Sequence, residues 1–343
     1  MKYADAQTYV FLQAEKEAEP LIKIMLANYN KAQGDIIKEL ERIYGKYLST
    51  TNPEDYYNIM IQYDRLNKIL TDIQWIYNDY SKQAGNDIEQ IGSLAMQNVY
   101  YRQQYLLNWA APAGLDMNFS ILDKNLIELT VTGTADAWTA IKKSFGVDTA
   151  NLYQPGYGTL SELLYSNDIK NLATIRQQIT QGFIQGWSVD KVRENITDKV
   201  DTMLFNADRI ARTEMNRCAN SGAYAASVDA EDQGLKIRRV WVATLDDKTR
   251  PEHQELDGQE VGADEPFEIN GETAMFPGDF GDPGMDINCR CSVATFAGDY
   301  EPDSRMGRNP VTGEQEVMDF KNYKQWADDN QLLMNDNGTF EAE

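Results

Sequence analysis

The chain has 343 residues, which fits two or three compact units better than one minimal domain. Apolar residues make up 42% and charged residues 25%, as in a chain that buries a core, and no run of 18 apolar residues offers a membrane span. The formal charge of −22 is uneven: residues 251–343 hold 5 basic and 22 acidic groups, a field that repels phosphate and excludes a DNA grip by the C-terminal third.

The opening Met1-Lys2-Tyr3-Ala4-Asp5 lacks a basic start followed by an apolar stretch, so no secretory signal is read there. Residues 1–110 are predicted helical. Ile22, Met25, Leu26, Ile36, Ile37, Leu40 and Ile43 form one amphipathic pattern. After Asn52-Pro53, a stripe of Ile59, Tyr63, Leu66, Leu70, Ile73, Tyr77 and Tyr80 alternates spacings of four and three, as in a packed helix. Ile88, Ile91, Leu94, Ala95 and Tyr105 give a third pattern. The many tyrosines here suit either a half-wet partner interface or the rim of a helical core. Ala111-Pro112-Ala113-Gly114 breaks the helix, and Leu126–Val131 reads as a strand. Leu172, Ile175, Ile179 and Phe183 mark a helix ending near Gly186, and Ser188 is the expected cap of the next, which carries Val189, Val192, Ile196 and Val200.

A separate helix is predicted from Thr202 to Ser227. One face carries Ala207, Ala211, Glu214, Cys218, Gly222 and Ala225, small enough for another backbone to approach closely. A carboxylate on that face needs a partner, because a lone buried charge is too costly. Arg209, Arg212, Arg217, Arg238 and Arg239 are the candidates, and Glu214 is expected to fix how the helix meets the following strand. The period changes to two over 236–244, a strand carrying Trp241. Thr249-Arg250-Pro251-Glu252 reads as a capping box opening a short helix with His253 and Leu256. Asp257-Gly258 and Asn270-Gly271 are tight-turn signals, 277–284 is a loop, and Cys289–Phe296 reads as a strand. Beyond Gly298 the acidic sequence is expected to be extended or unordered on its own, with a weak helix near Phe320–Trp326.

Little in the chain carries familiar chemistry. There is no phosphate loop, no nucleophile elbow and no paired CxxC. Three cysteines exclude a disulfide framework and suit a reducing cytosol. The single histidine, His253, lies within 39 residues of Cys289 and Cys291. Residues two apart on a strand share a face, so both thiols would point one way. With His253 they form a candidate zinc site, with Asp246 or Asp247 as a fourth ligand. The alternative is a buried core in which Asn288 and Arg290 hydrogen-bond the turns.

The block from Asp168 to Phe296 resembles the phage Mu protein F-like family of minor head, or head-morphogenesis, proteins. The residues that carry the likeness are Gln181-Gly182-Phe183, Arg212-Thr213-Glu214, Asn216-Arg217, Asn220-Ser221-Gly222, Trp241-Val242-Ala243-Thr244, Asp246, Arg250, His253, Leu256-Asp257-Gly258, Pro277 and Asn288-Cys289-Arg290-Cys291. The resemblance implies a low-copy virion component near the portal vertex. It would be assembled in the host cytoplasm and act in head assembly and in DNA packaging or ejection, with portal and head proteins as partners and no membrane. It implies no catalytic role. The expected architecture is α+β: a helical partner-binding region at 1–150, a Mu F-like module at 151–298 whose helical part precedes a small antiparallel sheet, and an acidic tail at 299–343. Two rival readings stand beside it. Mu F-like modules also occur joined to nuclease-like or ADP-ribosyltransferase-like domains, and Glu314 and Glu316 form a Glu-x-Glu pair, although no Ser-Thr-Ser accompanies it. Alternatively, Arg209, Arg212, Arg217, Lys236, Arg238 and Arg239 would bind packaged DNA.

Overall fold

The structure is a computed structural model that describes residues 3–47, 63–113, 124–132, 189–299, 304–308, 315–329, 332–334 and 340–342, with single positions at 115, 117, 121 and 122 and several between 170 and 181. Long helices come first: α1 (Tyr3–Tyr47), α2 (Tyr63–Ala110), α3 (Lys124–Thr132) and α4 (Val189–Asp232). Small antiparallel sheets and short helices follow, so the fold is α+β. Asn52-Pro53, Ile59, Phe183, Gly186 and Ser188 lie outside the described residues.

Two compact units interleave along the chain. One comprises Met1–Glu19, Gln90–Thr159 and Arg212–Glu343, the other Pro20–Glu89 and Leu160–Ala211. α1, α2 and α4 each give residues to both units. In the second unit the helices bury Ile22, Met25 and Ile36 of α1, Ile73, Tyr77 and Ile88 of α2, and Val192, Ile196, Ala207 and Ala211 of α4. Tyr80 donates a hydrogen bond to Asp35 at 2.9 Å, which ties α2 to α1 and holds the Asp35 carboxyl below its usual value. The stripe expected over 59–80 is therefore spent internally at Ile73 and Tyr77.

The first unit carries the main sheet. Met96 and Tyr100 of α2, Leu126, Ile127 and Val131 of α3, Cys218, Tyr224 and Val228 of α4, and Phe276 form one apolar cluster. The run Leu126–Val131, expected as a strand, is helical. Helical spacing buries Leu126, Ile127, Thr130 and Val131 together, and Thr130 donates to the Leu126 carbonyl at 2.8 Å. Burial of that face overrides the strand preference of its β-branched residues. The two helices expected on either side of residue 201 are one continuous α4. On its small-residue face, a Cβ at Gly222 would stand 2.3 Å from the Met96 carbonyl oxygen, so α2 and α4 touch through backbone.

After α4 come β1 (Ile237–Val242), α5 (Pro251–Leu256), β2 (Glu260–Gly262), β3 (Phe267–Ile269), β4 (Glu272–Ala274), α6 (Pro283–Asp286) and β5 (Ser292–Ala297). The main sheet has the order β2-β1-β5, all antiparallel, with Trp241 opposite Val293 and Arg239 between Val261 and Thr295. Asn270 and Gly271 both have positive φ, 53° and 83°, and close the β3–β4 hairpin as their sequence predicts. No capping box forms at α5: Pro251 opens the helix, but Arg250 holds the cap position without a side-chain bond, and the Thr249 hydroxyl binds the Thr244 carbonyl and Asp246 instead.

Over its described residues the acidic tail is more ordered than expected. It forms β6 (Ser304–Arg308) paired with β7 (Gln315–Asp319), then α7 (Tyr323–Asp329), then β8 (Leu332–Met334) paired with β9 (Phe340–Ala342). Tyr323 and Trp326 pack on Leu245, and the Tyr323 hydroxyl donates to the Asp246 carbonyl at 2.6 Å. Arg305, 1% exposed, makes a two-pronged ion pair with Asp257 at 2.7 and 2.9 Å and also donates to the Ala243 and Lys321 carbonyls.

Two glycines of the long helices should respond oppositely to alanine. Gly34 has open space around its Cβ position, so Gly34→Ala should stabilise by about 1 kcal/mol through helix propensity. Gly222→Ala should instead destabilise by roughly 1–3 kcal/mol, because the methyl group meets backbone that cannot move aside cheaply. Denaturant unfolding of the two variants checks both signs.

Candidate functional site

The site is built on β1, α5 and the turn before β5. Cys289, Arg290 and Cys291 precede the strand that was expected to contain them, which begins at Ser292. The strand argument for a shared face therefore does not apply, yet both sulfurs converge. Cys291 Sγ lies 3.3 Å and Cys289 Sγ 3.8 Å from His253 Nδ1. All three residues are buried, and the three potential ligand atoms lie within 4.8 Å of one another.

Backbone contacts set this convergence. The Cys289 N–H donates to the Asp286 carbonyl at 3.1 Å. Asn216 and Asn220 of α4 donate to the Cys291 carbonyl at 3.1 and 3.0 Å, and Asn220 Oδ1 accepts from the Val293 N–H at 3.0 Å. Asn288 sits at φ 58° and its N–H donates to the Thr213 hydroxyl. On the other side, Trp241 meets the His253 ring edge-on at 5.7 Å and is itself packed by Phe267 and Phe280. Gly258, at φ 84°, lets its N–H return to the Trp241 carbonyl at 2.9 Å. Burial opposes ionisation of the Cys291 thiol. Its hydrogen bond with Cys289 and the adjacent His253 ring outweigh burial and hold its pKa well below the usual value. The same hydrogen bond, followed by burial, pushes Cys289 up. Cys218 stands apart in the apolar cluster, and burial raises its pKa to about 12.

Neither aspartate expected as a fourth ligand joins the group. Asp246 takes both arms of the Arg290 guanidinium and accepts from the Lys248 N–H, while Asp247 is exposed. Burial pushes the Asp246 carboxyl up, but the Arg290 hydrogen bond and charge prevail and hold it below its usual value. Other buried carboxylates near the site serve the backbone: Asp257 accepts from the Ala243 N–H, Asp279 from Met275, and Asp286 from Phe280 and Gly281. The sequence marks the turn at Asp257-Gly258 and the loop at 277–284, but not the backbone-accepting role of these aspartates. The Asp257-Gly258 and Gly278-Asp279 pairs are the available signal for two of them.

Glu214 is paired, as its position requires, but with Arg217 of its own helix at 2.6 Å rather than with an arginine of β1. Arg217 also donates to the Thr130 carbonyl at 2.8 Å, so the pair fastens α4 to α3 and not to the strand. Of the other basic residues of the candidate DNA surface, Arg212 pairs with Glu19, Arg238 with Glu260, and Arg209 lies over the Phe205 ring. Arg239 is fully buried, donates to the Gly262, Met275 and Glu265 carbonyls, and lies over Tyr224 and Phe267, with burial pushing its pKa down to about 10. Lys248, Arg250, Cys289 and Arg290 line part of a cleft of about 610 Å³ beside the site.

Comparison with known proteins matches this region. The model of the family described as Phage Mu protein F like protein covers residues 173–294, which include every residue of the site. Over 330 residues the chain is 26% identical to NAD(+)–arginine ADP-ribosyltransferase EFV of Enterococcus faecalis, spanning 92% of this chain and 61% of that protein. It is 25% identical over 327 residues to minor head protein GP7 of Bacillus phage SPP1, spanning 95% of this chain and 94% of GP7. It is also 25% identical over 205 residues to an uncharacterized protein of Haemophilus influenzae, spanning 57% of this chain and 42% of that one. The chain thus spans less than two thirds of the Enterococcus and Haemophilus relatives. No solved structure matches it.

Two measurements check the electrostatics. Glu214→Ala leaves the buried Arg217 cation without its carboxylate and should cost about 3–5 kcal/mol in chemical denaturation. Because the folded-state pKa of Asp246 is depressed, its pair contributes stability above the unfolded value of about 4 and loses it as pH falls through the folded value. Asp246→Asn should therefore lower the melting temperature at neutral pH and flatten its fall on acidification below about pH 4.

Proposed function

We propose that this chain is a bacteriophage minor head protein: a structural, non-enzymatic virion component, present in few copies near the portal vertex and assembled in the host cytoplasm. The observation that carries this reading is the end-to-end match with the SPP1 minor head protein, at 95% of one chain and 94% of the other. The Mu F-like family match supports it over the module. Its partners are the portal and other head proteins, and its work is head assembly with a part in DNA packaging or ejection. No described helix is long and apolar enough to cross a membrane. Contact with head proteins falls to the face of α2 where Tyr101, Tyr105 and Trp109 are exposed at spacings of four, rather than to the buried stripe near residue 77.

A second reading, an ADP-ribosyltransferase, is favoured by the name of the Enterococcus relative. About two-fifths of that protein has no counterpart here, and this is room enough for an activity that the shared part need not carry. Glu316 lies on β7, while Glu314 is outside the described residues.

The test is made on heads purified from cells producing a phage that encodes this chain. The head-protein reading expects the chain in those heads at a small fraction of the major capsid protein. It also expects loss from the heads when Tyr105 and Trp109 are both changed to serine in a chain that still melts normally. Heads without the wild-type chain would overturn the reading. So would turnover of NAD+ with an arginine acceptor that a point substitution abolishes.

A further inference from the structure

We infer that His253, Cys289 and Cys291 bind one Zn2+ ion through Nδ1 and the two Sγ atoms, with solvent in the fourth position. This holds whether or not the chain is a head protein.

Three observations converge on it. The first is distance. Zinc–sulfur bonds of about 2.3 Å and zinc–nitrogen bonds of about 2.0–2.1 Å, set at tetrahedral angles, place sulfur and nitrogen about 3.6 Å apart. The two separations here are 3.3 and 3.8 Å, and the whole set falls within 4.8 Å. The second is the donor set. Two sulfurs and one imidazole suit zinc, and two thiolates cancel the charge of a divalent ion, so the centre enters the interior neutral. A lone zinc ion or a lone pair of thiolates would be expensive at residues exposed by only 2–4%. The third is the state of the imidazole. Among the described residues His253 Nε2 is buried with no hydrogen-bond partner, so the ring directs its only satisfied polar atom, Nδ1, at the two sulfurs.

The ligands also arrive on a preset frame. Trp241 holds the ring edge-on, and Asn216 and Asn220 hold the Cys291 carbonyl. The nearby carboxylates are occupied: Asp246 by Arg290, Asp257 by Arg305, and Asp286 by two backbone N–H groups. Among the described residues no fourth protein donor joins the group, which leaves that position to water from the cleft that Cys289 lines. Binding displaces the protons held within the His253–Cys289–Cys291 group and ties α5 to the turn ahead of β5.

The test uses the full-length chain purified without chelator. Elemental analysis should give about one zinc per chain. After removal of metal, titration with Co2+ alone should produce a thiolate-to-cobalt charge-transfer band that saturates at one ion per chain. Cys289→Ser, Cys291→Ser and His253→Ala should each lose the band or weaken cobalt binding at least tenfold, while Cys218→Ser should keep it. Should the site variants fail to fold, the wild-type titration decides alone. Zinc well below one per chain together with no charge-transfer band would overturn the proposal, as would a band that Cys218→Ser removes.

Discussion

Asn220 is fully buried on α4 and uses both ends of its amide on the chain entering β5: Oδ1 accepts from Val293, and Nδ2 donates to the Cys291 carbonyl and back to Asn216. A buried amide stripped of its partners costs the full desolvation of those groups, so this clasp has one good solution. It fixes where β5 begins against the helix. Ser227, two turns further along α4, meets the Thr295 hydroxyl at 3.1 Å and repeats the constraint in the middle of the strand. With β5 placed, its pairing with β1 sets Trp241 opposite Val293, and Trp241 in turn sets the edge of His253. The convergence of one histidine and two cysteines thus follows from a helix–strand clasp made of small polar side chains.

The acidic composition acquires a structural meaning in this frame. Asp257, Asp279 and Asp286 are almost fully buried and accept hydrogen bonds from backbone N–H groups in turns that no sheet or helix would satisfy. They act as the internal wiring of a module with short strands and long loops. The tail joins the same scheme through Arg305, whose guanidinium reaches the Asp257 carboxylate and two carbonyls. Burial still pushes the Asp257 carboxyl up despite that partner, which marks how completely water is excluded there.

Periodicity and turn chemistry made part of this legible. The small-residue face of α4 announced a close backbone approach, found at Gly222 against Met96. The alternation at 236–244 announced β1, and Asn270-Gly271 announced a hairpin. The co-occurrence of His253, Cys289 and Cys291 drew attention to residues that do meet. What failed did so for stated reasons. Leu126–Val131 looked like a strand because Ile127, Thr130 and Val131 are β-branched, but as a helix it joins one apolar cluster with α2 and α4. Glu214 found its arginine three residues along its own helix, a local pairing that competes with any long-range partner. The order of the tail depended on Arg305 finding Asp257, 48 residues away, and no local pattern encodes such a pair.

The central claim is that the Asn220 clasp holds the module and its histidine–cysteine group together, and hydrogen exchange at the Val293 amide tests it most directly. In the native chain, peptides covering Val293 should exchange as slowly as the β1 core, and Asn220→Ala should speed them by more than tenfold while the α2 segment around Ile91 stays protected. A Val293 amide that exchanges as fast as exposed turns in the native chain, or one indifferent to Asn220→Ala, would contradict the account.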